Sequence, residues 1–165
     1  MQACPKVGCI LGGCLLVLQL FFPGSAQALF TINETKIFSS GPYAFKVEIQ
    51  VNGNGNFKKP PVSLTSIKIK IKNDRASSDV LKVKAIRAYL SPDVFQDIET
   101  AGFPVTPGQW VTKFYRLSKG KRPLLTDKSH IQISFDGFSV QFFLRERRFQ
   151  GPVKTAGGQK ASFPG

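Results

Sequence analysis

Isoleucine and lysine alternate three times in the stretch SIKIKIKND, residues 66–74, and this alternation restricts the fold more than any other feature of the chain. Successive side chains of a β-strand point to opposite faces, so the isoleucines share one face and the lysines share the other. The stretch therefore predicts a half-buried strand with an apolar core face and a basic outer face.

A second alternating stretch, DVLKVKAIRAYL at residues 79–90, predicts another strand, and the turn-forming residues between them predict a hairpin of 64–72 with 80–90. With Lys72 paired near Val80, Lys70 faces Lys82, and a slip of one residue would turn the lysines into the core. This register predicts one face that carries five lysines: Lys68, Lys70, Lys72, Lys82 and Lys84.

Period-two patterns continue along most of the chain. They predict further strands at 30–38, 43–51, 110–117, 129–135 and 138–149. The run NGNGNFKKPP has no periodicity and predicts a loop, whereas SPDVFQDIE at 91–99 predicts a short helix with Ser91 as its N-cap. A shift in the alternation predicts either a β-bulge near Ala85 and Ile86 or a strand that is covered on both sides.

These patterns predict an all-β fold, namely an antiparallel β-sandwich of about seven strands with one short helix. The chain resembles exported immunoglobulin-like domains of bacteria in one pattern: a strand that ends in IKND, a chain return, and then VTPGQ leading into another strand. The resemblance covers part of the chain and implies an immunoglobulin-like sandwich. It carries over no functional residue.

The first 28 residues have the pattern of a cleaved signal peptide. Lys6 precedes an apolar run at 7–22, and SAQA ends in the small-x-small pattern that predicts cleavage after Ala28. The alternatives are a retained anchor, which needs about 20 apolar residues, and lipoprotein processing at Cys14. We therefore expect export to the periplasm, cell surface or extracellular space, a sandwich domain at 29–150 and a disordered tail at 151–165.

The charge of the exported part is strongly positive and unevenly distributed. Loss of Lys6 reduces the 23 basic residues to 22, which against 10 acidic residues gives +12. Residues 58–87 carry +7 and 113–128 carry +5, but 88–112 carry −3. Such an excess favours an anionic partner, namely a membrane surface, an acidic polysaccharide or an acidic protein face. Nucleic acid is disfavoured because the sequence has no groove-reading helix and no RNA-binding signature.

Catalytic and metal-binding motifs are missing from the sequence. All three cysteines precede residue 28, so no cysteine nucleophile or zinc-thiolate site is expected in the domain. His130 is the single histidine, and its neighbour Ser129 points to the other face of the predicted strand. Asp93 and Asp97 lie four residues apart on the predicted helix but lack the further ligands of a calcium site. We expect no enzymatic activity, no cofactor and no metal.

The leading hypothesis is an exported, non-enzymatic binding module that recognises an anionic envelope partner through a basic sheet face, with peripheral membrane contact as one form of this role. Its candidate anion-binding residues are Lys68, Lys70, Lys72, Lys82, Lys84, Arg145 and Arg147. The arginines join the face only if residues 119–122 and 145–148 converge on the lysines, and Phe143 is a candidate aromatic anchor beside them. The alternative is a structural or assembly protein, such as a fibre subunit, a chaperone-like module or an accessory of a larger complex, that acts through strand-edge contacts.

Overall fold

The alternating segments form long antiparallel strands in the computed structural model, which describes residues 29–39, 43–57, 59–76, 78–118 and 124–154, apart from the side chains of 59–61. The predicted signal peptide at 1–28, the basic residues 119–122 and residues 155–165 of the predicted tail lie outside the described residues. The strands are β1 (Leu29–Phe38), β2 (Phe45–Asn56), β3 (Lys59–Asn73), β4 (Leu81–Ser91), β5 (Val94–Glu99), β6 (Phe103–Val105), β7 (Trp110–Arg116), β8 (Leu124–Leu125), β9 (His130–Phe135), β10 (Phe138–Phe143) and β11 (Arg148–Lys154). Within the described residues, no helix is long and apolar enough to cross a membrane.

These strands form two sheets, and within each sheet every pairing of these strands is antiparallel. Sheet I has the order β1-β2-β3-β7, with β8 also paired to β3. Sheet II has the order β11-β10-β9-β4-β5, with β6 also paired to β4. The predicted all-β, sandwich-like fold is therefore confirmed, although the described residues contain eleven strands and not about seven.

One face of each sheet packs into a shared apolar core. The three isoleucines of the alternating stretch are at most 1% exposed, and so is Leu81 of β4. Phe45 of β2 is fully buried, and its ring centroid lies 4.6 to 5.5 Å from those of Phe38, Phe135 and Phe138. Because each buried large side chain contributes about 1.5–3 kcal/mol, this core dominates the stability of the domain.

The predicted hairpin of 64–72 with 80–90 is wrong. β3 pairs with β2 and β7 in sheet I, whereas β4 pairs with β9 and β5 in sheet II. Alternation determines which face of each strand is buried, and both faces were predicted correctly. It does not determine the partner, because a crossover between two packed sheets buries the same apolar faces as a hairpin.

Asn73 joins the end of β3 to the neighbouring segments at the point where the chain leaves sheet I. Its side chain is fully buried, and its Nδ2 donates hydrogen bonds to the carbonyls of Asp79, at 2.8 Å, and Val105, at 3.0 Å. Its Oδ1 accepts a hydrogen bond from the backbone N–H of Arg75 at 3.1 Å. A buried amide with this many partners holds the end of β3 against the approach to β4, and each such bond contributes about 1 kcal/mol. Both edges of β3 are paired, with β2 and with β7, and the chain crosses to sheet II.

The predicted helix at 91–99 is also wrong. Residues Val94–Glu99 form β5, which pairs with β4 after a turn at Pro92 and Asp93. Ser-Pro-Asp is favourable both as a helix start and as a tight turn, so these residues alone do not distinguish the two structures. The open edge of β4 decides for the strand, because pairing there satisfies backbone groups that would otherwise lack partners.

Three smaller features refine the predicted boundaries. The run NGNGN is not a loop, since β2 continues to Asn56. Gly53 is required there because a Cβ atom would lie 2.4 Å from the Phe30 ring and from the Ser63 carbonyl oxygen. The predicted β-bulge is present, as the register of β4 with β9 shifts between Val83 and Ala85. The last strand reaches Lys154, four residues past the expected end of the domain.

Candidate anion-binding face

The two groups of predicted lysines lie on opposite outer surfaces of the sandwich. Lys68, Lys70 and Lys72 alternate with buried isoleucines of sheet I, whereas Lys82 and Lys84 alternate with buried residues of sheet II. The prediction of a single face with all five lysines is therefore wrong. Because each sheet turns its apolar side to the common core, its lysines point away from those of the other sheet.

The outer surface of sheet I is an ordered grid, because the four main strands run in aligned register. Its rows, each in the order β1, β2, β3, β7, are Ile37, Lys46, Lys72, Trp110; Thr35, Glu48, Lys70, Thr112; and Asn33, Gln50, Lys68, Phe114. Arg116 follows in the next row of β7, opposite Ser66. We call this surface, with Arg116, the lysine face.

Glu48 partly neutralises the centre of the lysine face. Its carboxylate lies 2.6 Å from the Nζ of Lys70 and 3.1 Å from the Nζ of Lys46. Hydrogen bonds from Lys70 and then Lys46 lower the pKa of Glu48 below its ordinary value of 4.5, so the carboxylate is ionised at neutral pH. Lys72 forms a separate ion pair with Asp74 at 2.6 Å.

Lys68 and Arg116 form no ion pair within the part of the chain that the structure describes. The lysine face has five basic side chains, on Lys46, Lys68, Lys70, Lys72 and Arg116, against the carboxylates of Glu48 and Asp74. Five positive charges less two negative charges leave +3. The surface therefore attracts anions in spite of its internal ion pairs.

Exposed apolar side chains border these charges. Trp110 is 40% exposed, and its ring lies 4.8 Å from the Nζ of Lys70 and 5.2 Å from the Nζ of Lys46. Phe114 is 60% exposed and Ile37 is 62% exposed. Both are apolar groups that folding leaves in contact with water, although the core lies directly beneath the same sheet.

The aromatic part of the lysine face was missed by the sequence analysis, although a signal for it was present. Alternation in WVTKFYR sets Trp110 and Phe114 on one side of β7 and Val111, Lys113 and Tyr115 on the other. Alternation alone does not show which of these two sides is exposed. In the structure the second side is half-buried, and the Nζ of Lys113 lies 5.0 Å from the Phe103 ring centroid.

The outer surface of sheet II carries a row of stacked rings. The rings of His130 and Tyr89 are parallel within 4°, with centroids 4.7 Å apart, and Phe143 and Phe95 continue the row at 5.1 and 5.3 Å. The guanidinium groups of Arg148 and Arg87 close its two ends over the phenylalanines. Only the Tyr89–His130 pair is stacked, and the two phenylalanine rings are tilted by 40° and 32° against their neighbours, so each ring of the row packs on the next. Phe143, the candidate anchor, packs within this row.

Arg145 and Arg147 lie in the turn between β10 and β11, outside the paired rows of the lysine face. Arg145 forms an ion pair with Asp127. Arg147 lines an open cavity of about 480 Å³ together with Phe30 and Phe57. The structure thus does not bring the arginines to the lysine face.

Ser129 and Asp97, two of the residues considered for catalysis, have structural partners. The Oγ of Ser129 is buried, accepts a hydrogen bond from the Thr126 N–H at 2.7 Å and donates one to the Leu90 carbonyl at 3.2 Å. Asp97 pairs with Arg87 at 2.8 Å. No group of three metal-ligating side chains occurs among the described residues.

Comparison with known proteins gave no match to a family model, to a curated protein or to a solved structure.

Proposed function

We propose that this chain is an exported, non-enzymatic binding module that recognises an anionic partner in the cell envelope through the lysine face. The observation that carries the proposal is the clustering of five basic side chains in aligned rows of a single sheet surface, with a net charge of +3. A surface without a charge-dependent role usually mixes its signs, since mixing reduces repulsion.

The mechanism is long-range attraction followed by many weak contacts. Lysine ammonium groups are flexible point charges with three donors each, so they fit a repeating or diffuse anion better than one rigid ligand. We therefore expect modest specificity and a steep loss of affinity with salt, because the charges are exposed and screened over about 8 Å at physiological ionic strength.

A pair of matched charge reversals tests the proposal. Lys68→Glu with Lys72→Glu removes positive charge from the lysine face, and Lys82→Glu with Lys84→Glu makes the same change in net charge on the opposite sheet. One lysine of each pair, Lys72 and Lys84, has an acidic partner in the structure. The two double variants therefore differ mainly in the surface that they change.

Retention would be measured at low and high salt on vesicles containing phosphatidylglycerol, on heparin and on polyglutamate. The Lys68/Lys72 variant should lose most of its binding to at least one probe, while the Lys82/Lys84 variant stays close to wild type. Equal losses in both variants would show that only total charge matters, and the proposed face would be wrong.

Strand-edge assembly is the second candidate function, and the ends of sheet I favour it. β1 and β7 are the terminal strands of the main path, each with one pairing partner among the described residues. An extended peptide could add to either edge through backbone hydrogen bonds. Binding of this kind survives high salt, so the same salt titration separates it from attraction by the lysine face.

The immunoglobulin-like assignment also remains a proposal, and the order of the crossovers supports it. The chain passes from β3 in sheet I to β4 in sheet II, returns to pair β7 with β3, and crosses again to pair β9 with β4. Interlocked pairing of this type is a feature of Greek-key sandwiches.

A further inference from the structure

The apolar side chains of the lysine face occupy its corners. Trp110 and Phe114 are four residues apart on β7, a separation of about 13 Å along an extended strand. Ile37 shares a row with Trp110 three strands away, a separation of about 14 Å at the usual strand spacing. The lysines lie between these three corners. A flat surface with a basic centre and an apolar rim is thus built from separate strands.

A soluble polyanion would use only part of this surface. An acidic polysaccharide could neutralise Lys68 and its neighbours, but it has no apolar groups that would remove Phe114 and Ile37 from water. A bilayer interface supplies both kinds of contact at different depths, with phosphates for the lysines and the acyl boundary for the apolar groups. Lysine side chains are long enough to reach the headgroups while the apolar side chains go deeper.

The position of Trp110 agrees with such an interface. Tryptophan is enriched at the boundary between headgroups and hydrocarbon, because its ring is largely apolar and its N–H needs a polar partner. In the free protein, Lys46 and Lys70 lie over this ring, and 40% of the residue remains exposed. The two ammonium groups and the Trp110 ring therefore already lie on the same side of the sheet.

We propose that the anionic partner of the lysine face is a phospholipid bilayer, on which the lysines contact acidic headgroups and Trp110, Phe114 and Ile37 enter the interfacial region. This inference rests on the proposed function and narrows it to one class of partner. The protein would lie flat on the membrane, with sheet I against the lipid and sheet II facing the solvent.

Fluorescence provides a face-specific test because Trp110 is the only tryptophan of the chain. Its emission would be recorded in the full chain during titration with phosphatidylcholine vesicles, with and without phosphatidylglycerol. We expect a blue shift with the anionic vesicles and none with the neutral ones. The signal comes from the lysine face whatever other segments of the chain contact lipid.

The decisive variants remove the apolar corners and keep the charges. Phe114→Ser with Ile37→Ser should weaken binding to anionic vesicles about tenfold or more. The variant lacks the apolar surface of these two side chains, which binding would otherwise remove from water. Its retention on heparin should stay at the wild-type level. The matched control is Val94→Ser with Val153→Ser, because these valines are each 53% exposed on sheet II. The control variant should bind vesicles like wild type.

The results separate the two proposals. One outcome overturns the bilayer and leaves the anion-binding function standing. In it, the Lys68/Lys72 reversal abolishes binding to both heparin and vesicles, the Phe114/Ile37 variant binds vesicles normally, and Trp110 shows no blue shift. Loss of the blue shift and of vesicle binding in the Phe114/Ile37 variant alone would support the bilayer. If no anionic probe binds the wild type, the proposed function itself fails.

Discussion

Substitution Glu48→Gln should strengthen binding to anionic vesicles while it weakens the fold. Glu48 is the carboxylate between Lys46 and Lys70, at 3.1 and 2.6 Å from their ammonium groups. Removing its charge raises the net charge of the lysine face from +3 by one. Since each basic charge near an anionic membrane is worth about 1 kcal/mol, we expect a gain in affinity of about fivefold.

The cost to stability follows from the same contacts. Partly exposed ion pairs contribute about 0.2–1 kcal/mol each, so loss of both pairs should lower the free energy of unfolding by about 0.5–1.5 kcal/mol. Lys46 also lies directly opposite Lys72 in the register, and after the substitution only the Lys72–Asp74 ion pair offsets this repulsion. Binding and stability should therefore change in opposite directions.

The stability difference should also depend on pH, with a sign set by the lowered pKa of Glu48. A carboxyl whose pKa is lower in the folded than in the unfolded state stabilises the fold above its unfolded value, near 4.5. This contribution is lost as the pH falls through the lowered folded value. The difference between wild type and Glu48→Gln should accordingly be full at pH 7 and disappear in strong acid.

Vesicle co-sedimentation at low salt and urea denaturation measure the two effects, with Lys68→Gln as the matched control. Lys68 has no ion pair among the described residues, so its loss should weaken binding about fivefold with little change in stability. The reasoning would be refuted if Glu48→Gln bound anionic vesicles no better than wild type, or if its gain in affinity persisted at high salt.

Three further predictions concern the fold. Burial lowers the pKa of His130, the only histidine, so stability should decline as the pH falls below about 6.5, and His130→Phe should remove this decline in urea denaturation. Gly53→Ala should destabilise the fold more than Gly137→Ala in thermal unfolding, because a Cβ at Gly53 would lie 2.4 Å from a backbone atom. A Cβ at Gly137, where φ is 86°, would point into open space, so that substitution should cost only about 1 kcal/mol. Phe45→Ala should cost about 3–5 kcal/mol and Phe114→Ala less than about 0.5 kcal/mol in chemical denaturation, since only the first is buried. Similar values for either pair would contradict the assigned packing.

Strand positions were largely predictable from the sequence because alternation is a local property. β1, β7 and β9 lie within two residues of their predicted bounds, and the buried and exposed faces of β3 were assigned correctly. Only Asp136 and Gly137 separate the predicted strands at 129–135 and 138–149, and both residues favour turns, so the β9–β10 hairpin was predictable as well. No long-range information was needed for these features.

The candidate site was predictable only in part. Lys68, Lys70 and Lys72 do share an exposed face, but Lys46, Trp110 and Phe114 join them through pairings between strands that are distant in sequence. Lys82 and Lys84 were wrongly added, because proximity along the chain suggested a hairpin.

By itself, the sequence determined the all-β class, the buried face of each alternating strand and the excess of positive charge, since these depend on side-chain type and a period of two residues. Only the tertiary structure decided which strands that are distant in sequence are neighbours. The buried Asn73 amide donates hydrogen bonds to the carbonyls of Asp79 and Val105 at the point where the chain crosses to the other sheet. That one crossover separates the lysines into two surfaces. Alternation within a strand specifies which face is buried, whereas packing between distant segments specifies which strand it pairs with.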